Sequence, residues 1–151
     1  FGGPRAPGAE KGVLMKIRAL QVADFEGVRH LWASTEGLGV GPGDTREGVG
    51  HFLDRNPGLS LVAVDMGSIV ASALCGHDGR RGFIYRLAVA PEYRNQGVAK
   101  DLVRRCLAGL KAAGIERCLI LVQEDNEGAR LFWEKMGGRL RSDLVGFSID
   151  V

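Results

Sequence analysis

The chain has 151 residues, which suits one domain around one core. Its 20 basic and 18 acidic residues leave a net charge of +2, too balanced to imply nucleic acid or an anionic membrane surface as partner. Hydrophobic residues make 45% and charged residues 25%, both ordinary for a globular protein, and no apolar run approaches the roughly 20 residues of a membrane-spanning helix.

Residues 1–12, FGGPRAPGAEKG, are rich in glycine and proline with almost nothing to bury. They read as a disordered tail or cloning remnant, with Met15 a candidate natural start. Residues 13–151 read as a single domain. Met15, Ile17 and Ala19 alternate with Lys16 and Arg18, the pattern of a half-buried first strand. Phe25, Val28, Leu31 and Trp32 then mark one face of a helix. Residues 37–43, GLGVGPG, follow a helix rather than a strand, and Pro42 stands where the third glycine of a dinucleotide motif would be. They read as a flexible connection.

Asp44-x-x-Glu47 resembles a capping box opening a second helix through Val49, Phe52 and Leu53, closed by Asn56-Pro57-Gly58. Three strands are expected next: 59–64, 69–76 and 83–90, joined by hairpin turns at Met66-Gly67 and Asp78-Gly79. Leu102, Val103, Cys106, Leu107 and Leu110 recur at helical spacing, and Gly114 sits where that helix should stop. The strand ending at Ala90, this helix and a strand over 118–122 form a right-handed parallel crossover. A last helix is expected over 126–136, with Ala129, Phe132, Trp133 and Met136 inward. Alternation of Val145, Phe147, Ile149 and Val151 with polar or small residues predicts a closing strand over 144–151.

The chemistry concentrates between the strand and the long helix, in Arg94-Asn95-Gln96-Gly97-Val98-Ala99. The first amides of a helix lack intrahelical partners, and the helix dipole places partial positive charge there. A turn that aims those amides outward suits a phosphate. Gly97 allows close approach, Asn95 tolerates positive φ, and Arg94 adds a fixed charge. The turn lacks the Gly-Lys-Ser/Thr end of a P-loop, and a nucleotide-phosphate hydrolase would need a lysine and a metal carboxylate absent here.

In this setting Arg94-x-x-Gly97-x-Ala99 resembles the acyl-CoA loop of the GNAT superfamily of N-acetyltransferases. Leu87-Ala88-Val89-x-Pro91-Glu92-Tyr93-Arg94 resembles the strand before that loop. Val122-x-x-x-Asn126-x-x-Ala129 and Trp133-Glu134-Lys135-Met136-Gly137 resemble the strand and helix that follow it. The similarity runs from about residue 17 to 151. It implies an α/β fold (an α+β mixed sheet), in the order β-α-α-β-β-β-α-β-α-β-β with a splayed central strand pair. It implies acetyl transfer from acetyl-CoA to an amine, small-molecule or peptide, by direct attack in a ternary complex. The alternative is a non-catalytic acyl-CoA-binding or regulatory module.

By the resemblance, the amides of Arg94, Asn95, Gln96, Gly97, Val98, Ala99 and Lys100 would hold the pyrophosphate. The pantetheine arm would enter the splay beside Leu87, Ala88 and Val89, one of whose amides would face the thioester oxygen. Asn126 fits a position whose side-chain amide meets the cofactor arm, and equally fits a plain helix N-cap. The connection 36–44 corresponds to a loop over the acceptor site.

The sequence departs from the family in proton handling. Many relatives place a tyrosine at the position of Trp133 to protonate the leaving thiolate, and indole is no useful acid. Gly138 likewise replaces the usual aromatic. Trp133 is read as a wall of the thioester pocket or a core residue. Tyr85, counted onto the same strand face as Leu87, is the substitute acid, with a packed strand tyrosine as the plain alternative. Glu124 and Asp125 are further relay candidates.

Cys75, Cys106 and Cys118 each fall inside an apolar pattern, as core thiols of a reducing compartment would, and a cytoplasmic location follows. His30, His51 and His77 show no metal-ligand spacing, and no metal is expected. The family allows a homodimer, for which the sequence carries no signature.

Overall fold

The computed structural model describes residues 15–151, and the expected tail at 1–12 lies outside them. The chain divides into two compact units, a first ending at Leu121 and a second spanning Val122–Val151. The first unit carries strands β1 (Lys16–Ala19), β2 (Leu61–Asp65), β3 (Ser68–His77), β4 (Gly82–Val89) and β5 (Cys118–Leu119). Its helices are α1 (Phe25–Ala33), α2 (Arg46–Arg55) and α3 (Val98–Ala112). The sheet runs in order β1-β2-β3-β4-β5, antiparallel up to β4 and parallel between β4 and β5 across the α3 crossover.

Alternation along the strands divides the core between two faces. Leu74 and Ala88 join Phe25, Val28, Leu31 and Trp32 of α1 and Val49 of α2 in one cluster. On the opposite face α3 buries Leu102, Val103, Cys106 and Leu110 of the residues its helical spacing singled out, while Leu107 is half-buried. There Cys75 reaches α3, its thiol donating to the Cys106 carbonyl at 3.9 Å. Gly114 takes φ +82°, and the Ile115 amide then reaches back to the Leu110 carbonyl at 3.0 Å, which ends α3. Met66 and Gly67 both take positive φ, as a two-residue hairpin turn with the twist of its strands demands.

β4 carries one residue more than β3 can match. Ser72 pairs with Ala88 but Leu74 pairs with Tyr85, so Arg86 and Leu87 together face Ala73. Arg86 adopts φ +54° to make this bulge. A bulge bends its strand and sharpens its twist. On the other side, β4 pairs with β5 only at Gly82 and Phe83. The expected strand 118–122 is therefore cut to Cys118–Leu119, where its ladder with β4 ends. The splay predicted for this strand pair is that early end of the ladder.

Two further expectations change. The cap of α2 is Thr45, whose hydroxyl accepts from the Gly48 amide at 3.0 Å, rather than Asp44. Asp44 has a different partner, described below. In the second unit, α4 (Glu127–Lys135) forms as expected, with Ala129, Phe132, Trp133 and Met136 its better-covered residues. Residues 139–151, however, form no strand. Val145, Phe147 and Ile149 stay 82–91% exposed. Alternation encodes which way side chains point, but a strand also needs an edge to pair with, and these residues make no ladder.

Candidate acyl-transfer site

The segment after β4 is shaped by backbone conformation. A single 3-10 turn, Pro91–Tyr93, leads out of the strand. Asn95 then takes φ +60° and Gly97 φ +80°, the two residue types that enter this region at least cost. Arg94, Asn95, Gln96 and Gly97 are all exposed. The first amide here to find a backbone carbonyl after Arg94 is that of Asp101, donating to Gly97 at 3.0 Å. Among the described residues, the amides of residues 95–100 thus stand without backbone partners at the positive end of a 15-residue helix. A Cβ built on Gly97 meets nothing within 4 Å, so the space over the turn is open.

Side chains brace the turn from below. The Arg94 Nε donates to the Val89 carbonyl at 3.0 Å, and the Gln96 amide to the Glu92 carbonyl at 3.0 Å. The Tyr93 hydroxyl donates to Asp65, a buried residue at the end of β2. That bond, with burial next, pushes the Tyr93 phenol up to about 12. A phenol whose folded pKa lies above its unfolded value near 10 stabilises the fold fully below that value. The contribution is lost as pH climbs from about 10 towards 12. Urea midpoints of the wild type should fall across this window, and Tyr93→Phe should show a shallower fall.

Ahead of the turn, β4 from Ile84 to Val89 has no ladder partner among the described residues on the side facing β5. Tyr85 lies on the α1–α2 face, stacked on Phe83 at 5.8 Å and edge-on to Phe52 of α2 at 6.3 Å. It remains 39% exposed. Burial, and secondarily Cys118, raises its pKa, so the phenol holds its proton at neutral pH. The bulge resets the strand count: Tyr85 opposite Leu74 and Ala88 opposite Ser72 point the same way. Tyr85 is therefore in phase with Ala88, and the simple alternation that joined it to Leu87 fails because an extra residue intervenes.

The bulge itself contains residues the sequence did not single out. Ser72, fully buried, accepts from Trp32 Nε1 at 2.9 Å and donates to the Arg86 carbonyl at 2.8 Å. The Arg86 guanidinium lies 5.3 Å from the centre of the Trp32 ring. It donates to the carbonyls of Leu38 and Gly39 and pairs with Asp44. An arginine inside the apolar stretch 83–90 and an aspartate closing the glycine-rich connection were the available signals. In the second unit, Asn126 is the N-cap of α4, its side chain accepting from the Ala129 amide at 3.0 Å. Trp133 packs edge-on against Phe132 at 5.1 Å.

The model of the acetyltransferase (GNAT) family matches residues 19–138. The chain belongs to the GNAT family. A curated acetyltransferase of Photorhabdus laumondii is 36% identical over 122 residues, 81% of this chain and 85% of that one. Among solved structures, Ard1 of Thermoplasma volcanium superposes with TM-score 0.72 at 21% identity, over 82% of each chain. AAC(6')-Iy, solved in complex with the bisubstrate analogue CoA-S-monomethyl-acetylneamine, gives TM-score 0.69 at 18% identity, over 91% of this chain and 99% of that one. The five-stranded mixed sheet with four helices is thus a GNAT fold. As a GNAT enzyme, this chain transfers an acetyl group from acetyl-CoA to an amine. The non-catalytic alternative is not favoured.

Proposed function

We propose that the amides of residues 94–100 hold the diphosphate of acetyl-CoA, that Leu87, Ala88 and Val89 pair with its pantetheine arm, and that Tyr85 supplies the proton the departing sulfur needs. One observation carries this reading: a run of amides without backbone partners at the mouth of α3 directly follows a strand edge without a ladder. Anion recognition at a helix N-terminus and strand-like pairing at an open edge then lie end to end along one stretch of chain. Acetyl-CoA supplies the activated thioester carbonyl. A β4 amide aimed at the acyl oxygen stabilises the charge developing there, and loss of one such donor costs on the order of 10²–10³ in rate.

Tyr85 is favoured as the acid by its half-exposed ring, which holds its proton at neutral pH, and by the absence of a tyrosine at position 133. General acid catalysis contributes roughly 10²–10⁴-fold, so Tyr85→Phe should lower kcat by about two orders of magnitude while CoA affinity holds. A Tyr85→Phe enzyme as fast as the wild type removes this role. Asn126 and Trp133 enter only through their match to the family motif, Asn126 as a partner for the cofactor arm and Trp133 as a wall of the thioester pocket.

The acceptor is a small-molecule or peptide amine, and the decisive experiment is free-thiol release from acetyl-CoA across amino acids, polyamines, aminoglycosides and peptides. Silence across the whole panel, with CoA still bound, would return the chain to the class of sensors. The same reading places the enzyme in the cytoplasm, without nucleic acid or membrane as partner. Its support is the net charge of +2 and free thiols at Cys75, Cys106 and Cys118. No helix among the described residues is long and apolar enough to cross a membrane. Self-association as a homodimer belongs to this reading too, and sedimentation velocity decides it.

A further inference from the structure

We propose that Arg86 is a positioning residue that fastens the glycine-rich loop 36–44 shut against the β4 bulge, so that the acceptor amine meets an ordered rim. The loop's role as that rim rests on the acyl-transfer reading above. The loop has four glycines among residues 37–43, and its backbone is correspondingly expensive to order. The core does little to hold it: Val40 is 75% exposed, and only Leu38 packs against the buried cluster. Its polar bonds to the rest of the fold converge on one guanidinium. Arg86 Nη1 donates to the Leu38 and Gly39 carbonyls, and Nη2 binds Asp44. Asp44 in turn accepts from the Gly41 amide at 2.8 Å. Both side chains are about 15% exposed (15% and 14%), so bulk salt screens the pair weakly.

The planar fork of arginine suits three acceptors at once, as the point charge of lysine does not. The fork is aimed by the bulge, whose carbonyl Ser72 anchors and whose φ of +54° swings Arg86 out of the strand's regular alternation. Its guanidinium lies against Trp32 of α1, the helix that feeds the loop. At the far end, Gly48 leaves room for the loop to seat on α2, since a Cβ there would stand 2.3 Å from the Gly43 carbonyl oxygen. The same residue thus ties the acceptor loop to the strand proposed to carry the acyl group. Asp44 cannot cap α2 because it completes this clamp, and Thr45 takes the cap instead.

The test compares Asp44→Asn, Arg86→Lys and Gly48→Ala with the wild type by hydrogen exchange over residues 36–48, CoA titration calorimetry, and steady-state kinetics at saturating acetyl-CoA. Loss of a charge-assisted contact should speed exchange at the Gly41 and Asp44 amides by roughly ten- to hundredfold. The acceptor KM should rise about tenfold in each variant, with kcat and the CoA dissociation constant within about twofold of wild type, as expected when only acceptor binding is lost. Asp44→Glu should recover part of the loss, which a purely steric role would not produce. Unchanged loop exchange in Asp44→Asn overturns the proposal. So does a CoA dissociation constant that weakens in step with the acceptor KM, which would make Arg86 a brace for β4 alone. A wild type that never releases thiol defeats the acyl-transfer reading, whereas the exchange comparison still decides the clamp.

Discussion

Gly97→Trp is expected to reduce CoA affinity by more than about 10²-fold while the protein stays folded. Gly97 caps α3 at φ +80°, a conformation that costs an L-residue on the order of 1–2 kcal/mol. That strain is affordable to the fold, and no neighbour within 4 Å would be struck by a new Cβ. The damage falls on the ligand side. An indole over the turn fills the space in front of the amides of residues 95–100, and charge-assisted bonds are individually worth about 1.5–3 kcal/mol. Losing two of them suffices for the stated factor. Gly97→Ala provides the graded control, adding strain with little bulk, and should lose affinity by much less. Titration calorimetry with CoA reads both, and urea unfolding confirms the fold. Wild-type affinity in the tryptophan variant would remove the α3 mouth from the binding site.

The largest stability effect is expected at Ser72→Ala. The change removes one oxygen, yet that oxygen satisfies two buried partners, the Trp32 indole N–H and the Arg86 carbonyl. Each group left unsatisfied in the interior costs about 1–3 kcal/mol, giving roughly 2–6 kcal/mol for the pair. Trp32→Phe should cost less in this respect, because Ser72 can still donate to Arg86 when the indole is gone. Urea midpoints at constant m order the two variants. A Ser72→Ala midpoint at the wild-type value would mean that the bulge is held by its pairing alone. Loss of transfer rate beyond the loss of folded protein would tie the bulge geometry to turnover.

How far the sequence went can be seen residue by residue. Leu102, Val103, Cys106 and Leu110 announced α3 because a 3.6-residue period is written locally, and all four are buried. Asn95 and Gly97 announced the turn because few residue types accept positive φ, and both adopt it. Arg86 could not be read this way. Its φ of +54° arises from a mismatch between two strands, a property of the pairing β3 offers rather than of arginine. Asp44 misled for a related reason. Asp-x-x-Glu is a local signal, and a half-buried arginine 42 residues later outcompeted it while Thr45 stood ready to cap. The tail 144–151 had the alternation of a strand without the edge that would complete one.

The bulge also sets what kinds of genetic change the strand can survive. Side chains on β4 can be exchanged one at a time, whereas deleting the spare residue at 86–87 would restore plain alternation, with Ala88 still opposite Ser72, and remove the local bend. Removing it would keep Ala88 in the core but abolish the kink at φ +54° that turns Arg86 towards residues 36–44. Lineages and libraries that vary this enzyme should therefore hold the spacing from Tyr85 to Gly97 at its present length, so that Arg86 keeps its place in the bend.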